Sequence, residues 1–284
     1  MNIPPDQRLS EKVALITGAA RGQGRSHAVT FAEHGADLIL LDSVSPIDTV
    51  GYSMPTAADL KETARLVEQC GRRVVTIESD VRDEKVIGAV AAAVAELGRL
   101  DIAVANAGIL GPAKPSWELT RSEWDAVVDI NLTGVWQTMK AAVPHIIAGG
   151  RGGSIIAISS IAGIRGVPHV ANYTAAKHGV IGLANSLANE VASHSIRVNT
   201  VHPTNVRTEM IDNPTSARIF RPDLDTPTLD DGREVLGRIN LLPVPWVDSS
   251  DISEAVLWLA SDESRYVTGT ALPVDAGMLA KYPG

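Results

Sequence analysis

The sequence has 284 residues, 45 % hydrophobic and 20 % charged, which is typical of a globular protein with one large domain or, alternatively, two small ones. Its 25 basic and 33 acidic side chains give a net charge of −8 with no basic stripe, so no nucleic acid partner is expected. No apolar signal core, no run of about 18 apolar residues and a single cysteine, Cys70, together predict a cytoplasmic protein without a membrane span.

Seven short segments rich in aliphatic and β-branched residues are predicted to be strands. They cover residues 13–18, 37–42, 73–79, 100–105, 154–159, 196–201 and 271–274. Several are continuously apolar rather than alternating, which is typical of strands buried on both faces of a parallel sheet. Alanine-rich helical segments, such as 86–97 and 175–192, lie between them. The alternation predicts one doubly wound α/β domain over residues 1–284, with about seven parallel strands and helices on both faces.

The first predicted strand leads into a glycine-rich turn, and a helix is expected at 25–34. Residues 17–24 read Thr-Gly-Ala-Ala-Arg-Gly-Gln-Gly. Backbone without side chains lets a pyrophosphate approach closely, and the helix N-terminus adds N–H donors and the positive end of a dipole. The strand–turn–helix context therefore predicts a dinucleotide site. The turn residues expected to contact the dinucleotide are Gly18, Arg21, Gly22, Gln23 and Gly24.

Asp42 ends the second predicted strand, eighteen residues after Gly24. A carboxylate at this distance can accept hydrogen bonds from the adenosine ribose and repel a 2′-phosphate, so it favours NAD. Arg21 favours NADP instead, because a guanidinium in the turn could attract a 2′-phosphate. Asp42 could also be only a turn residue at a strand end. We weigh the acid more heavily and predict NAD.

Two long connections interrupt the pattern. Residues 43–58 separate the second strand from its helix, and residues 204–250 precede the last helix. Connections in α/β units usually span 2–6 residues, so segments of this length suggest a function, although tolerated surface insertions are the alternative. Below, residues 43–58 are called the insertion and residues 204–250 the lid, because long loops at this edge commonly close over substrates.

The strongest chemical signal is Tyr173 followed four residues later by Lys177, with Ser160 thirteen residues upstream. Residues at i and i+4 share a helix face, so the Lys177 ammonium can lower the pKa of the Tyr173 phenol. Such a tyrosine can exchange a proton with an alcohol near neutral pH. Ser160, at the end of a strand, can bind the same substrate oxygen. The histidines lack ligand spacing, so no metal site is predicted.

With these motifs the chain resembles the short-chain dehydrogenase/reductase family over nearly its whole length. The resemblance implies strand order 3-2-1-4-5-6-7 and a catalytic tetrad in which Asn131 binds a water that links Lys177 to solvent. The tetrad consists of Asn131, Ser160, Tyr173 and Lys177. Further residues implied to contact the cofactor are Asp80, Val81, Asn106, Ala107, Gly108, Pro203, Val206 and Thr208, besides Tyr173 and Lys177. Where the family usually reads Asn-Pro-Gly, this chain has His202-Pro203-Thr204, which leaves the local backbone geometry open.

The segment 202–208 and the insertion together resemble the mycofactocin-associated, carveol-dehydrogenase-like branch of the family. This implies an NAD-dependent enzyme that interconverts a secondary alcohol, such as the terpenoid carveol, and its ketone, with Tyr173 as the acid/base. It also implies a homotetramer, tightly held NAD and an external redox carrier. An NADPH-dependent carbonyl or 3-oxoacyl reductase is the alternative enzyme, and a non-catalytic nucleotide sensor the alternative outside catalysis.

Overall fold

A computed structural model describes residues 7–282, and its centre is a single sheet of seven parallel strands. The strands are β1 Val13–Thr17, β2 Asp37–Asp42, β3 Val74–Glu78, β4 Ile102–Ala105, β5 Gly153–Ile158, β6 Ile196–Pro203 and β7 Ala271–Val274. Their spatial order is β3-β2-β1-β4-β5-β6-β7. The predicted fold class and strand order are confirmed.

Helices cover both faces of the sheet. They are α1 Gly22–Glu33, α2 Ala57–Gln69, α3 Lys85–Leu97, α4 Arg121–Val128, α5 Gly134–Gly149, α6 Ala171–Val191, α7 Pro214–Phe220, α8 Arg233–Gly237 and α9 Ser249–Ala260. One buried cluster joins the sheet to α3, α5 and α6, and a second joins it to α1, α2 and α9. Along β1, Leu15 belongs to the first cluster and Ile16 to the second. Both faces of each central strand are buried, which explains the continuous apolar runs.

The strand order determines at which edge of the sheet a binding crevice opens. The chain leaves β1 toward β2 and β3, then crosses back to β4 on the other side of β1. At such a reversal the connections after β1 and β4 diverge and open a crevice at the carboxyl ends of the strands. The glycine turn, the end of β2 and the segment after β4 therefore meet at one place.

The insertion is packed rather than loose. Ile47, Val50 and Met54 lie against the first buried cluster. The segment ends at α2, which begins at Ala57 behind a capping box of Thr56 and Asp59, so the last two residues of the predicted insertion are helical.

The lid has internal structure built around one guanidinium. Arg207 donates to Asp212 and Asp230 at 3.1 and 3.0 Å and lies 5.0 Å from the centre of the Trp246 ring. The lid also contains helices α7 and α8. Within residues 7–282, no helix is long and apolar enough to cross a membrane, and no group of three or more His, Cys, Asp or Glu side chains could hold a metal ion.

Candidate active site

The glycine turn after β1 has a backbone that only glycine tolerates at two positions. Gly18 has φ +66°, and a Cβ there would lie 2.8 Å from the Cα of Ala107. A Cβ on Gly24 would lie 2.0 Å from the Gly18 carbonyl oxygen. Helix α1 begins at Gly22, three residues earlier than predicted, and within the described chain no side chain caps its first turn. Its free N–H groups are therefore available to a phosphate.

A cleft opens above this turn, and most of the predicted cofactor residues line it. They are Gly18, Arg21, Gly22, Gln23, Gly24, Asp42, Asp80, Val81, Asn106, Ala107, Gly108 and Thr208. The Gln23 side-chain oxygen is buried there without a hydrogen-bond partner within the described residues. Bare glycine backbone, unused N–H donors and an unused acceptor in one crevice fit a dinucleotide.

Asp42 lines the cleft at the end of β2, where the sequence predicts the adenosine ribose. Its carboxylate accepts from the N–H groups of Ala20 at 2.9 Å and Val44 at 3.3 Å, and only 6 % of the residue is exposed. Burial raises the pKa of this carboxyl, while the backbone hydrogen bonds and the charge of Arg21 act in the opposite direction. Arg21 donates to the carbonyl of Ser53 in the insertion. Part of its hydrogen-bonding capacity is thus used within the protein, which weakens the case for a 2′-phosphate.

Two further predicted residues line the cleft with their own contacts. Asp80 forms a two-pronged ion pair with Arg82 at 3.0 and 2.7 Å. Burial alone would raise the pKa of Asp80, but hydrogen bonds from Arg82 and its charge lower it. The Asn106 amide donates to the Thr17 carbonyl at 2.9 Å and the Gly18 carbonyl at 3.2 Å. Asn106 therefore fastens the end of β4 to the glycine turn.

Four predicted cofactor residues lie off the lining of this cleft: Tyr173, Lys177, Pro203 and Val206. The Val206 side chain is packed in the second buried cluster, and Pro203 is buried at the end of β6. Because these side chains point into packed regions, the predicted contacts of Pro203 and Val206 would have to come from their main chain.

The predicted tetrad comes together behind Gly108. A Cβ on Gly108 would lie 3.1 Å from the Asn131 side-chain oxygen and 3.6 Å from the Lys177 Nζ. Lys177 Nζ donates to the Ile158 carbonyl at 2.8 Å and lies 5.5 Å from the centre of the Tyr173 ring. Ser160, two residues after Ile158, lies close enough to Tyr173 for its hydroxyl to lower the Tyr173 pKa.

Asn131 has a more specific task than its sequence context suggested. It lies in a π-helical turn, Asp129–Thr133, between α4 and α5. Its side-chain oxygen accepts from the Ile109 N–H and its amide donates to the Ile109 carbonyl, both at 2.8 Å. The side chain thus fixes the segment after β4. Single π turns inside helices are frequent at functional sites.

The expected depression of the Tyr173 pKa is not found in this arrangement. Burial raises the pKa of Tyr173 to about 12, the hydrogen bond from Ser160 lowers it, and the nearby Tyr52 raises it. Burial lowers the pKa of Lys177 to about 8. The physical reason is that both groups lose water, which disfavours the charged form of each. At neutral pH this gives a neutral phenol beside an ammonium.

His202 is a site residue whose role the sequence did not reveal. It is 0 % exposed, and its Nδ1 is 2.8 Å from the carbonyl oxygen of Ser160. The only local signal was the departure from Asn-Pro-Gly. The contact joins residues 42 positions apart, so no spacing pattern could predict it.

The insertion reaches across the cleft to the opposite wall. The Tyr52 hydroxyl accepts from the Leu110 N–H, after β4, at 3.1 Å. Thr215, in lid helix α7, donates to the Gly51 carbonyl at 3.2 Å. Residues Ile47, Tyr52, Met54 and Pro55 form part of the cleft lining. The insertion is therefore bonded to the glycine turn, to the segment after β4 and to the lid.

Comparisons with known proteins show which family this chain belongs to. A model of the short-chain dehydrogenase family, described as enoyl-(acyl carrier protein) reductase, matches residues 18–279. The (−)-trans-carveol dehydrogenase of Rhodococcus erythropolis is 52 % identical, over 96 % of this chain and 99 % of that protein. The trans-4-hydroxycyclohexanecarboxylate dehydrogenase of Sinomonas cyclohexanicum is 40 % identical, over 96 % and 95 %.

Among solved structures, the crystal structure of carveol dehydrogenase from Mycobacterium avium in complex with NAD has a TM-score of 0.96 and 54 % identity. The match covers 97 % of this chain and 100 % of the carveol dehydrogenase chain. Sequence motifs, strand order and these matches agree. The chain belongs to the short-chain dehydrogenase/reductase family.

Proposed function

We propose that this protein oxidises a cyclic secondary alcohol to its ketone with NAD, with Tyr173 as the general base. One observation carries the proposal: the Lys177 ammonium lies 5.5 Å from the centre of the Tyr173 ring and Ser160 is close enough to lower the Tyr173 pKa. This group lies behind Gly108, which lines a cleft that fits a dinucleotide. The coarser prediction, an NAD-dependent alcohol dehydrogenase, is confirmed by dehydrogenase relatives over the whole chain and a close structural match that contains NAD.

The side chains divide the work as follows. Tyr173 takes the proton of the substrate hydroxyl, and its deprotonation is favoured by Ser160 and by the charge of Lys177. The Ser160 Oγ accepts from the Ala162 N–H at 3.1 Å, so its single hydrogen is left to donate, to Tyr173 in the free protein and to the substrate oxygen once the alcohol is bound. NAD, when bound, supplies the hydride acceptor. The glycine turn would hold its pyrophosphate, Asp42 its adenosine ribose and Lys177 its nicotinamide ribose.

The substrate class is inferred from the relatives and the surroundings. Both named relatives act on alcohols carried by a six-membered ring, according to their names. Apolar side chains of Ile109 and Met210 line the cleft. An uncharged ring with one hydroxyl, such as carveol, matches these surfaces. The NADPH-dependent reductase is disfavoured, because Asp42 faces the adenosine end and Arg21 is engaged by Ser53.

Tight retention of NAD and transfer of electrons to an external carrier are part of this proposal. The insertion is anchored to the first buried cluster and bonded to the cleft wall and the lid. Departure of the cofactor beneath it requires several contacts to break, which slows release. Reduced cofactor that stays bound has to be reoxidised in place, which a separate redox carrier would accomplish.

We also propose a homotetramer that works in the cytoplasm. Trp136 on α5 is 45 % exposed, and Ala175 and Gly182 are exposed on α6, so α5 and α6 present a surface suited to a second copy. Other small residues of α6, including Ala176, Ala184 and Ala188, are buried within the subunit, so they do not contribute to that surface. Cys70 is a free thiol, which suits a reducing compartment.

Replacing Tyr173 by Phe tests the mechanism. The NAD-loaded protein is mixed with carveol or cyclohexanol, and formation of bound NADH is followed in a single turnover. Loss of the proton acceptor should slow this step by about 10²–10⁴-fold with NAD affinity nearly intact. The control, Tyr266→Phe, removes a hydroxyl from a tyrosine that is 89 % exposed and should leave the rate unchanged. A Tyr173→Phe protein as fast as the wild type would refute the mechanism.

A further inference from the structure

His202 is a fully buried imidazole with two short hydrogen bonds. It lies one residue before the end of β6, with Nδ1 2.8 Å from the Ser160 carbonyl oxygen and Nε2 2.7 Å from the Thr200 hydroxyl. A carbonyl oxygen can only accept, so Nδ1 carries the ring proton. In the neutral ring Nε2 then accepts the proton of Thr200. The two bonds together fix both the tautomer and the plane of the ring.

The surroundings keep this ring neutral. Burial lowers the pKa of His202, the Ser160 hydrogen bond raises it, and the positive charge of Lys177 on α6 lowers it further. The ring therefore presents one donor, at Nδ1, to the catalytic segment. That donor does not switch on and off near neutral pH.

The Ser160 peptide is held from two sides. Its carbonyl accepts from the Gly163 N–H at 2.9 Å as well as from His202. The first bond is local, within the turn that follows β5, whereas the second ties the same peptide to the neighbouring strand β6. Without His202 the carbonyl keeps only the local bond, and the turn loses its fixed orientation relative to the sheet. The Ser160 hydroxyl moves with that turn.

We propose that His202 is a positioning residue, which holds the Ser160 main chain so that the Ser160 hydroxyl meets Tyr173 and the substrate oxygen. The inference rests on the proposed function, because Ser160 and Tyr173 act there. His202, which stands before Pro203 where the family usually has Asn, would thus orient the Ser160 hydroxyl through a contact between β6 and the turn after β5. His202 itself does not touch the substrate.

Two conservative variants separate this role from simple filling of the core. In asparagine the side-chain nitrogen is bonded to Cγ, as Nδ1 is in histidine, so His202→Asn retains a donor at the position facing Ser160. In glutamine the nitrogen is one bond further out, as Nε2 is, so His202→Gln retains a polar group facing Thr200 instead. Both variants are polar, and both lose the ring.

The first measurement is the limiting rate at which bound NAD is reduced by carveol or cyclohexanol. We expect His202→Gln to lose about tenfold, the size of one lost hydrogen bond, and His202→Asn to stay within about threefold of the wild type. The alcohol concentration at half-maximal rate and the affinity for NAD should change little in either variant. Equal rates for His202→Gln and the wild type would overturn the proposal.

The second measurement needs no alcohol. Ionisation of Tyr173 in the NAD-loaded protein is followed by tyrosinate absorbance against the same titration of Tyr173→Phe. Because the Ser160 hydrogen bond lowers the Tyr173 pKa, His202→Gln should titrate at higher pH and His202→Asn near the wild type. If the wild type reduces no NAD with these alcohols, the proposed function fails, and the titration still decides the role of His202. Identical titrations of the two variants would contradict that role.

Discussion

Replacing Lys177 by Met removes a buried positive charge beside the proposed catalytic base while keeping most of the aliphatic side chain. Lys177 is 3 % exposed, and its Nζ lies 5.5 Å from the centre of the Tyr173 ring. At an effective dielectric constant of about 20, a phenolate charge placed at the ring centre is attracted by about 3 kcal/mol, equivalent to about two pKa units. We expect the pKa that governs alcohol oxidation to rise by this amount in the variant.

Below the Tyr173 pKa the rate follows the tyrosinate fraction, so reduction of bound NAD at neutral pH should slow about 100-fold. Stopped-flow measurements between pH 6 and about pH 10 should show the deficit shrinking above about pH 8, where the wild-type Lys177 loses its charge. NAD affinity should fall in parallel, because Lys177 would also hold the nicotinamide ribose. The control is Lys177→Arg, which keeps a positive charge and should shift the profile less. A Lys177→Met profile that coincides with the wild type would refute the electrostatic argument.

Three other substitutions test separate parts of the structure. Asp42→Ala should weaken NAD binding and reduce discrimination against NADP in fluorescence titrations, and a wild type that already prefers NADP would contradict the assignment. Replacing residues 45–54 by a short glycine linker should accelerate NADH release in stopped flow, whereas unchanged release would rule out retention by the insertion. His27 is buried with a pKa of about 3 against 6.5 unfolded, so folding stability should fall by about 1.4 kcal/mol per pH unit as the pH drops through that window. The free energy of unfolding, measured with urea at several pH values, should depend on pH less steeply in His27→Gln, by the equivalent of one proton. An equal pH dependence in the two proteins would exclude His27 as the cause.

Local signals in the sequence were enough to predict the strands, the glycine turn and the Tyr173–Lys177 pair. The strands were predictable because burial on both faces demands continuous apolar runs, and the glycine turn and the Tyr173–Lys177 pair are local patterns. Helix α6 was expected to start near Tyr173 and begins at Ala171, and Asn172 in its first turn makes a tertiary hydrogen bond to the Glu123 carbonyl at 3.0 Å. The start of α2 was readable in the capping box at Thr56 and Asp59, a signal that the prediction of the insertion overlooked.

The contacts that complete the site are non-local, which is why the sequence did not reveal them. Tyr52 meets Leu110 across 58 residues of chain, and His202 meets Ser160 across 42. Such pairs depend on which strands become neighbours and on how a long connection folds back. The pKa of Tyr173 depends similarly on burial, a property of the assembled fold that the spacing of Tyr173 and Lys177 does not contain.

The hydrogen bond between Thr215 and Gly51 has a consequence for enzyme engineering. Lids of this fold are natural targets for grafting when a new alcohol is to be accepted, since they vary independently of the sheet. Here the lid helix donates to the insertion, so a grafted lid without a donor at position 215 leaves the Gly51 carbonyl without that partner. Libraries that vary the lid should therefore keep Thr or Ser at position 215. Each selected variant should be assayed for retention of bound nucleotide as well as for activity on the new alcohol.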